Sequence, residues 1–303
     1  MLKVAVIGAG YLGRHHARIY STMEGVELAA IADTDEARAR EVAAAYGGRA
    51  CRDYRDILGL VNAVSIVTPT VTHYQIAADC FALNKDVLLE KPICLDLHEA
   101  DRLVKMAAEK MLILQAGHVE RFNPVLEEAY QRLGQTTFIE AERVSPFPAR
   151  STDVDVTLDM MIHDIDIVLH TFGCPDVKSV KAAGASILTD KLDTVKAWVD
   201  FTSGHSAFFS ASRVCAHKKR VMKFVEKNRI FTADFMSKKL FLKTPGGDFE
   251  FESPATEPLK EELADFIKCV GGRTAPRVSP KEARGALDLA LRISDAARRP
   301  DQQ

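Results

Sequence analysis

The sequence predicts an α/β protein with two domains: a doubly wound parallel sheet, followed by an α+β domain with an open, largely antiparallel sheet. The chain has 303 residues, which is enough for two domains that each bury a core. Its first third alternates short apolar runs with helical patterns. After Gly117 the pattern changes to strand-like stretches separated by turn signals, so we expect one domain over residues 1–118 and another over residues 119–303.

The predicted strands of the first domain are short, rich in Val, Ile and Leu, and bounded by Gly, Asn or Pro. They are Leu2–Ile7, Glu27–Ala32, Ala63–Val67, Asp86–Leu89 and Lys110–Gln115. The segments between them carry apolar residues at helical spacing. These predicted helices are Gly13–Met23, Glu36–Tyr46, Thr72–Leu83 and Leu97–Lys110. Successive strand–helix units of this kind indicate a parallel sheet.

The second domain is predicted to begin with a helix near Asn123-Pro124, a strand over Thr136–Val144 and a Pro-rich loop over Ser145–Pro148. A helix over Thr157–Phe172 follows, and turn signals then separate several strand-like stretches, as antiparallel hairpins require. These stretches are Val177–Leu188, Asp193–Thr202, Ser206–Ala216, Arg220–Glu226, Ile230–Phe235 and Lys239–Lys243. The closing helices are predicted over Glu257–Cys269 and Pro280–Ala297. One face of this sheet would pack on a helix and the other would be available to a partner subunit.

The composition argues against several classes of protein. The chain has 40 Lys and Arg against 42 Asp and Glu, so its charge gives no reason to expect nucleic acid or an anionic membrane as a partner. No apolar run approaches the about 20 residues that span a bilayer. The six cysteines form no Cys-x-x-Cys pair, which favours separate thiols in a reducing compartment over disulfides or structural zinc. We therefore expect a cytoplasmic protein without a metal site.

The glycine-rich segment Gly8-Ala9-Gly10-Tyr11-Leu12-Gly13 joins the first predicted strand to the first predicted helix. Gly8 would permit a tight turn, Gly10 would let a pyrophosphate approach the backbone, and Gly13 would let the helix pack close to the strand. Tyr11 and Leu12 belong to the same loop, whose amides and helix dipole would hold the anion. Such a segment alone can also be an ordinary turn, but its position between strand and helix predicts a dinucleotide site.

Asp33 indicates which dinucleotide is bound. It ends the second predicted strand about 20 residues after Gly13, where a carboxylate accepts hydrogen bonds from the adenosine ribose. A carboxylate there would repel a 2′-phosphate, which favours NAD over NADP. Arg38 lies one helical turn further on and is expected to face solvent.

Two segments of the first domain follow predicted strands and are candidates for the nicotinamide side of the site. Lys91, in Glu90-Lys91-Pro92, would point into the crevice where doubly wound sheets bind ligands. Thr68-Pro69 would line the same side, with His73 capping the next helix, and all three are predicted to belong to the cofactor-binding residues. A solvated lysine at a strand end is the alternative interpretation of Lys91.

Asp159 and His163 lie four residues apart in the long predicted helix of the second domain, so they share one face of it. A histidine titrates near neutrality, and His163 would take the proton of a substrate hydroxyl while Asp159 orients the ring. Lys91 is the competing base, or a donor that orients the hydroxyl. A purely structural Asp/His pair is the alternative, and a metal site is less favoured because no third ligand has an obvious spacing.

Basic residues near the Pro-rich loop suggest an anionic substrate. Arg143 and Arg150 flank this loop and would clamp the diphosphate of a sugar nucleotide, unless they are ordinary exposed loop arginines. The basic stretch over residues 217–220 is expected to be a solvated hairpin or a subunit contact.

Taken together, these segments resemble the glucose–fructose oxidoreductase / inositol dehydrogenase / MocA family over nearly the whole chain. The segments that carry the resemblance are the glycine loop with His16, Thr68-Pro69 with His73, Glu90-Lys91-Pro92, Arg121-Phe122-Asn123-Pro124, and Asp159 with His163. The resemblance implies an N-terminal Rossmann domain, an open-sheet C-terminal domain and sheet-mediated homodimers or homotetramers. It also implies that Lys91, Asp159 and His163 are catalytic, and that Glu90 and Lys91 border the nicotinamide.

A narrower resemblance, to the UDP-N-acetylglucosamine 3-dehydrogenase branch, rests on residues 117–124, 143–150 and 161–166. It implies NAD-dependent oxidation of the sugar 3-hydroxyl, followed by a pyridoxal-phosphate aminotransferase that makes a 3-amino sugar for lipid A or other glycans. The expected substrate-binding residues are Arg121, Arg143, Arg150 and His163. The alternatives are a dehydrogenase of a free sugar or polyol such as an inositol, and a non-catalytic NAD(H)-sensing protein.

Overall fold

The computed structural model describes residues 1–147 and 154–298, which form two compact units. The first unit contains residues 1–118 together with residues 259–284, and the second contains residues 119–258 together with the chain after residue 284. The sequence predicts residues 259–284 to lie in the second domain. No local feature of the sequence shows that they pack in the first unit, because this packing depends on segments that are distant along the chain.

A six-stranded parallel sheet forms the centre of the first unit, with the strand order β3-β2-β1-β4-β5-β6. The strands are β1 Leu2–Ile7, β2 Val26–Ala32, β3 Arg49–Cys51, β4 Ala63–Ile66, β5 Asp86–Glu90 and β6 Leu114–Gly117. The strand order reverses between β1 and β4, which is where sheets of this class bind ligands at the carboxyl ends of their strands. The predicted doubly wound fold is confirmed.

Helices surround the parallel sheet. They are α1 Tyr11–Ser21, α2 Glu36–Tyr46, α3 His73–Ala82, α4 Leu97–Glu109 and, from the returning segment, α7 Pro258–Gly272. Leu263 and Phe266 of α7 are fully buried in the same hydrophobic cluster as Val4 and Val6 of β1, which explains why this segment packs in the first unit. The strand predicted from Lys110 begins only at Leu114, because α4 continues to residue 109 and Met111 then adopts a left-handed conformation with φ 53°.

An eight-stranded sheet forms the centre of the second unit, with the strand order β14-β13-β12-β11-β7-β10-β9-β8. The strands are β7 Phe138–Val144, β8 Val177–Ala185, β9 Thr194–Phe201, β10 Ser206–Ser212, β11 Lys219–Glu226, β12 Arg229–Asp234, β13 Lys239–Thr244 and β14 Gly247–Glu252. Only the β7–β10 pair is parallel, so the expected largely antiparallel sheet is confirmed. β14 was not predicted, although Phe249 and Phe251 alternate with acidic residues in it as in a strand with one apolar face.

The helices of the second unit are α5 Pro124–Tyr130, α6 Ile162–Thr171 and α8 Pro280–Arg298, whose first residues belong to the first unit. The helix predicted over residues 157–172 is divided, because Thr157–Met161 forms a π-helical turn before α6 begins. Thr157 forms a hydrogen bond with Ser294 of α8 through their hydroxyl groups, so this turn is held against a neighbouring helix. Within the described residues, no helix is long and apolar enough to cross a membrane.

Candidate active site

The glycine loop of the first unit is shaped by steric contacts at two of its three glycines. Gly8 has φ 101°, and a Cβ atom there would lie 2.3 Å from the carbonyl oxygen of Val67. A Cβ atom on Gly13 would lie 1.8 Å from the carbonyl oxygen of Gly8, so α1 packs directly on the turn. Neither contact leaves room for a side chain, as the sequence predicts for a Rossmann turn.

Gly10 differs from the other two glycines, because no described atom lies within 4 Å of the position of its missing Cβ. Gly10 is the residue before α1, and no side chain caps this helix. The first turn of α1 also contains no acidic residue. The positive end of this helix dipole therefore has no side-chain cap and no acidic residue of its own first turn to offset it, which suits the pyrophosphate of NAD.

Asp33 lies at the carboxyl end of β2 and is held by two backbone amides. Ala9 of the glycine loop donates to its Oδ2 atom at 2.7 Å, and Asp35 donates to Oδ1 at 2.9 Å. Because a carboxylate accepts about four hydrogen bonds, Asp33 retains acceptor positions for ribose hydroxyls. Arg38, expected to face solvent, is about half exposed but places its Nη1 atom 3.8 Å from the Asp33 carboxylate.

His73 connects the turn after β4 with the turn after β5. Its Nε2 atom lies 2.9 Å from the carbonyl oxygen of Thr68, and its Nδ1 atom lies 2.9 Å from that of Pro92, which follows Lys91 through a cis peptide bond. Burial lowers the pKa of His73, although both carbonyl groups act in the opposite direction. The sequence analysis placed His73 among the cofactor-binding residues. Both ring nitrogens instead contact backbone carbonyls, so His73 positions Thr68-Pro69 and Lys91 indirectly.

Glu90, at the end of β5, is buried and makes contacts that the sequence analysis did not anticipate. Its Oε1 atom lies 3.4 Å from Nε2 of His16 in α1, and its Oε2 atom accepts the Lys91 amide proton at 3.2 Å. Gly117 is the β6 partner of Glu90, and a Cβ atom there would lie 2.8 Å from the Glu90 carboxylate. Only the strand register shows that this glycine makes room for the carboxylate.

Asp159 and His163 lie in one continuous helical segment of the second unit. Asp159 belongs to the π-helical turn and His163 to the first turn of α6. Both are partly exposed, whereas their neighbours Met161 and Ile162 are buried. The structure therefore presents these two polar side chains at the surface of an otherwise apolar helical turn.

Arg143 occupies a different environment from the one expected of a substrate clamp. It is 2% exposed, and its Nη1 atom donates to Glu120 at 2.8 Å. Its Nε and Nη2 atoms donate to Asp164, the latter at 2.7 Å. Burial opposes the charge of Arg143, but attraction to Asp164 and then to Glu120 exceeds it and raises the pKa of the guanidinium. Burial likewise opposes the charge of Glu120, but attraction to Arg143 lowers its pKa, whereas at Asp164 burial prevails over Arg143 and raises the pKa. The guanidinium thus joins β7 to α6 instead of facing a ligand.

Arg121 also pairs within the protein. It is 1% exposed and contacts Asp166 at 3.3 Å and Nδ1 of His170 at 2.8 Å. The expectation that Arg121 and Arg143 bind substrate directly is therefore corrected, because position near a loop does not reveal which carboxylates the fold brings to each arginine. Arg150 lies outside the described residues. Within the described chain, no group of three or more His, Cys, Asp or Glu side chains is arranged to hold a metal ion.

Comparison with known proteins gives matches over nearly the full chain. Residues 2–118 match the model described as "Oxidoreductase family, NAD-binding Rossmann fold", and residues 129–230 match the GFO/IDH/MocA C-terminal domain. The chain is 35% identical over 303 residues to UDP-N-acetylglucosamine 3-dehydrogenase of Acidithiobacillus ferrooxidans, covering 96% of each chain. It is 28% identical over 314 residues to myo-inositol 2-dehydrogenase of Thermotoga maritima, covering 95% of this chain and 94% of the other.

Solved structures also match nearly the whole chain. A structure of the Acidithiobacillus ferrooxidans enzyme matches with a TM-score of 0.94 and 35% identity, covering 99% of this chain and 98% of that one. The structure of GenD2 from gentamicin A biosynthesis, in complex with NAD, matches with a TM-score of 0.87 over 100% of this chain and 95% of that one. Its identity is 20%, so this second likeness concerns the fold alone.

The different surroundings of Gly10 and Gly13 generate a first prediction. Gly13→Ala should destabilise the protein, because its methyl group would overlap the carbonyl of Gly8. Gly10→Ala should leave stability within about 1 kcal/mol of wild type, because its conformation suits alanine, yet weaken NAD binding at least about tenfold. Thermal unfolding and titration of NADH fluorescence measure the two effects. Normal NADH affinity in Gly10→Ala would show that the pyrophosphate does not approach this backbone.

The burial of Arg143 generates a second prediction. Arg143→Ala should lower the free energy of unfolding by about 3–5 kcal/mol, because two buried carboxylates lose their partner. Urea unfolding followed by the fluorescence of Trp198, the one tryptophan of the chain, would measure this in the second unit. Lys223→Ala, which breaks the exposed pair with Glu140, is the control and should cost less than about 1 kcal/mol. Wild-type stability with only a raised KM would restore Arg143 as a substrate ligand.

Proposed function

Since the chain belongs to the GFO/IDH/MocA oxidoreductase family and is an NAD-dependent dehydrogenase, we propose that it oxidises the 3-hydroxyl of UDP-N-acetylglucosamine. The product is UDP-2-acetamido-3-dehydro-2-deoxyglucose. The observation that carries this proposal is the near full-length match, at 35% identity and a TM-score of 0.94, to an enzyme named for that activity. The similarity covers both the glycine loop and the segment with Asp159 and His163.

Catalysis is assigned to Lys91, Asp159 and His163, on the family resemblance and on the exposure of the latter two at the start of α6. His163 accepts the proton of the sugar hydroxyl and Asp159 orients the ring, while Lys91 is the competing base or orients the hydroxyl. Bound NAD would supply the acceptor for the hydride that leaves the sugar carbon. The residues assigned to NAD binding are Gly8, Gly10, Tyr11, Leu12, Gly13, Asp33, Thr68, Pro69, Glu90 and Lys91.

A second candidate is oxidation of a free sugar or polyol such as an inositol. It is favoured by the burial of Arg121 and Arg143, since neither guanidinium presents its charge to a diphosphate. It is also supported by the 28% identity to an inositol dehydrogenase. The alternative of a non-catalytic NAD(H)-sensing protein is set aside because the chain is a dehydrogenase.

Mass spectrometry of the reaction mixture tests the substrate. The purified protein would be incubated with NAD and, in parallel, with UDP-N-acetylglucosamine, UDP-N-acetylgalactosamine or myo-inositol, in the presence of a hydrazine that traps ketones. The trap matters because oxidation of a secondary alcohol by NAD is unfavourable at neutral pH. We expect a trapped keto-sugar nucleotide from UDP-N-acetylglucosamine. Product from myo-inositol alone would overturn the nucleotide-sugar proposal in favour of the second candidate.

Variants of the catalytic residues are the matched controls for this experiment. Lys91→Ala and His163→Ala should each reduce turnover at least about a thousandfold, because proton transfer is worth about 10²–10⁴ and positioning is lost as well. In His163→Ala, NADH affinity should stay within about threefold of wild type, since every residue assigned to NAD binding is unchanged. In Lys91→Ala, the loss of turnover should far exceed any loss of NADH affinity, since the glycine loop and Asp33 are unchanged. Wild-type turnover in both variants would show that the catalytic assignment is wrong.

The proposed product indicates which class of reaction would consume it. A ketone at C3 is the substrate class that a pyridoxal-phosphate aminotransferase converts to an amine, so we assign the enzyme a place before such a transferase, in 3-amino sugar synthesis for lipid A or other glycans. We assign it to the cytoplasm, which suits its six free cysteines. Adding an aminotransferase and an amino donor in place of the hydrazine, which would itself react with pyridoxal phosphate, should give an amino sugar nucleotide.

The open face of the eight-stranded sheet is assigned to a homodimer or homotetramer interface, as the family resemblance implies. Trp198, Ile230 and Phe241 on this face are 42%, 38% and 37% exposed, and Phe138 stacks on Trp198 at 5.2 Å between ring centroids. Large exposed apolar side chains on one face are typical of protein contacts.

Light scattering tests the interface. The wild-type mass should be a multiple of 33.4 kDa, and the double change Trp198→Glu with Phe241→Glu should reduce it to a single chain. Leu83→Glu, which also alters an exposed apolar side chain but in the first unit, should leave the mass unchanged. A monomeric wild type would show that this face serves another purpose.

A further inference from the structure

Two arginines lie side by side on neighbouring strands of the second unit. Arg220 of β11 is the register partner of Arg143 of β7, and directly opposed residues of an antiparallel pair project from the same face. Nη1 of Arg220 lies 3.3 Å from the Oε1 atom of Glu120, to which Arg143 also donates. The shared carboxylate offsets the repulsion that two opposed cations would otherwise cause.

Lys218 adds a further cation to this cluster. Arg143 and Arg220 contact two carboxylates, those of Glu120 and Asp164, which balance their charge. Lys218 is exposed and forms no ion pair with any residue that the structure describes. Arg220, then burial and then Arg143 lower the pKa of Lys218, while Glu120 raises it. An external anion would stabilise cations that lie this close together.

This cluster lies beside the residues assigned to proton transfer. Asp164, which binds Arg143, follows His163 directly in α6. The carboxylate of Asp159 also acts on Arg220: burial and Arg143 lower the pKa of that guanidinium, and Glu120, Asp164 and Asp159 raise it. An anion held by Arg220 therefore lies within electrostatic range of the segment that carries Asp159 and His163.

We infer that Lys218 and Arg220 bind the diphosphate of the nucleotide-sugar substrate, a role that rests on the proposed function for its substrate class. Lys218 lies directly before β11 and Arg220 is the second residue of that strand. The two cations are close enough that Arg220 is the largest influence lowering the pKa of Lys218. The Arg220 side chain is 37% exposed and the Lys218 ammonium has three N–H donors for oxygen acceptors. The buried Arg143 acts through Arg220 by holding Glu120 in place, so it is a positioning residue.

The ammonium of Lys218 and the guanidinium of Arg220 favour a phosphate ligand at this position. An ammonium and a guanidinium are the two groups that proteins use most for phosphate oxygens, the guanidinium through paired N–H donors and the ammonium as a point charge. A neutral polyol would leave the Lys218 ammonium without an anionic partner. The basic stretch over residues 217–220 is therefore assigned to substrate binding and not to a solvated hairpin.

Calorimetric titration of UDP tests the site, at saturating NADH so that the cofactor site is occupied. Wild type should bind UDP, uridine should bind far more weakly, and Lys218→Gln should weaken UDP binding about tenfold or more. Lys218→Arg should restore most of the affinity. Lys227→Gln, which alters an exposed lysine in the turn after β11, is the matched control and should bind UDP like wild type.

Arg220→Lys provides a second variant that keeps a cation beside Glu120. It should raise KM for the nucleotide sugar severalfold while kcat changes less than twofold, whereas a merely structural role would reduce kcat or stability instead. Wild-type UDP affinity in Lys218→Gln, or no UDP binding by wild type, would overturn the site. If UDP binding depends on Lys218 but UDP-N-acetylglucosamine is not oxidised, the site stands and the proposed substrate fails. If that sugar is oxidised with an unchanged KM in both variants, the substrate stands and the site fails.

Discussion

The buried guanidinium of Arg143 is the interaction on which the arrangement of the second unit depends. It holds Glu120, from the segment that enters this unit, and Asp164, from the first turn of α6, against the end of β7. Charge-assisted hydrogen bonds thereby join three elements that are separate along the chain. Asp164 directly follows His163, so the turn that carries Asp159 and His163, the residues to which proton transfer is assigned, is attached to this buried ion pair.

In the first unit, carboxylates at the ends of two strands also hold neighbouring parts of the backbone through hydrogen bonds. Asp33 receives the Ala9 amide, and Glu90 receives that of Lys91 while contacting His16. Each carboxylate therefore fixes the backbone beside which the cofactor is expected. Binding residues that are already held by the protein lose less conformational freedom when a ligand arrives.

The parallel sheet and its glycine loop could be predicted because their signals are local: apolar runs, glycines at fixed spacing and a carboxylate at a strand end. The roles of Arg143 and Arg121 could not, because an arginine near a loop has the same sequence pattern whether it faces a ligand or a buried carboxylate. For the same reason, the packing of α7 in the first unit and the pairing of Gly117 with Glu90 could not be predicted. Both depend on which distant segments the fold brings together.

His73 contacts two acceptors with a ring that carries one proton. Because burial lowers its pKa, the imidazole is neutral near pH 7 and has a single N–H. It can therefore donate to the carbonyl of Thr68 or to that of Pro92, but not to both at once. The turn after β4 and the turn after β5 therefore share a single N–H group, and the tautomer of His73 decides which of the two turns receives its hydrogen bond.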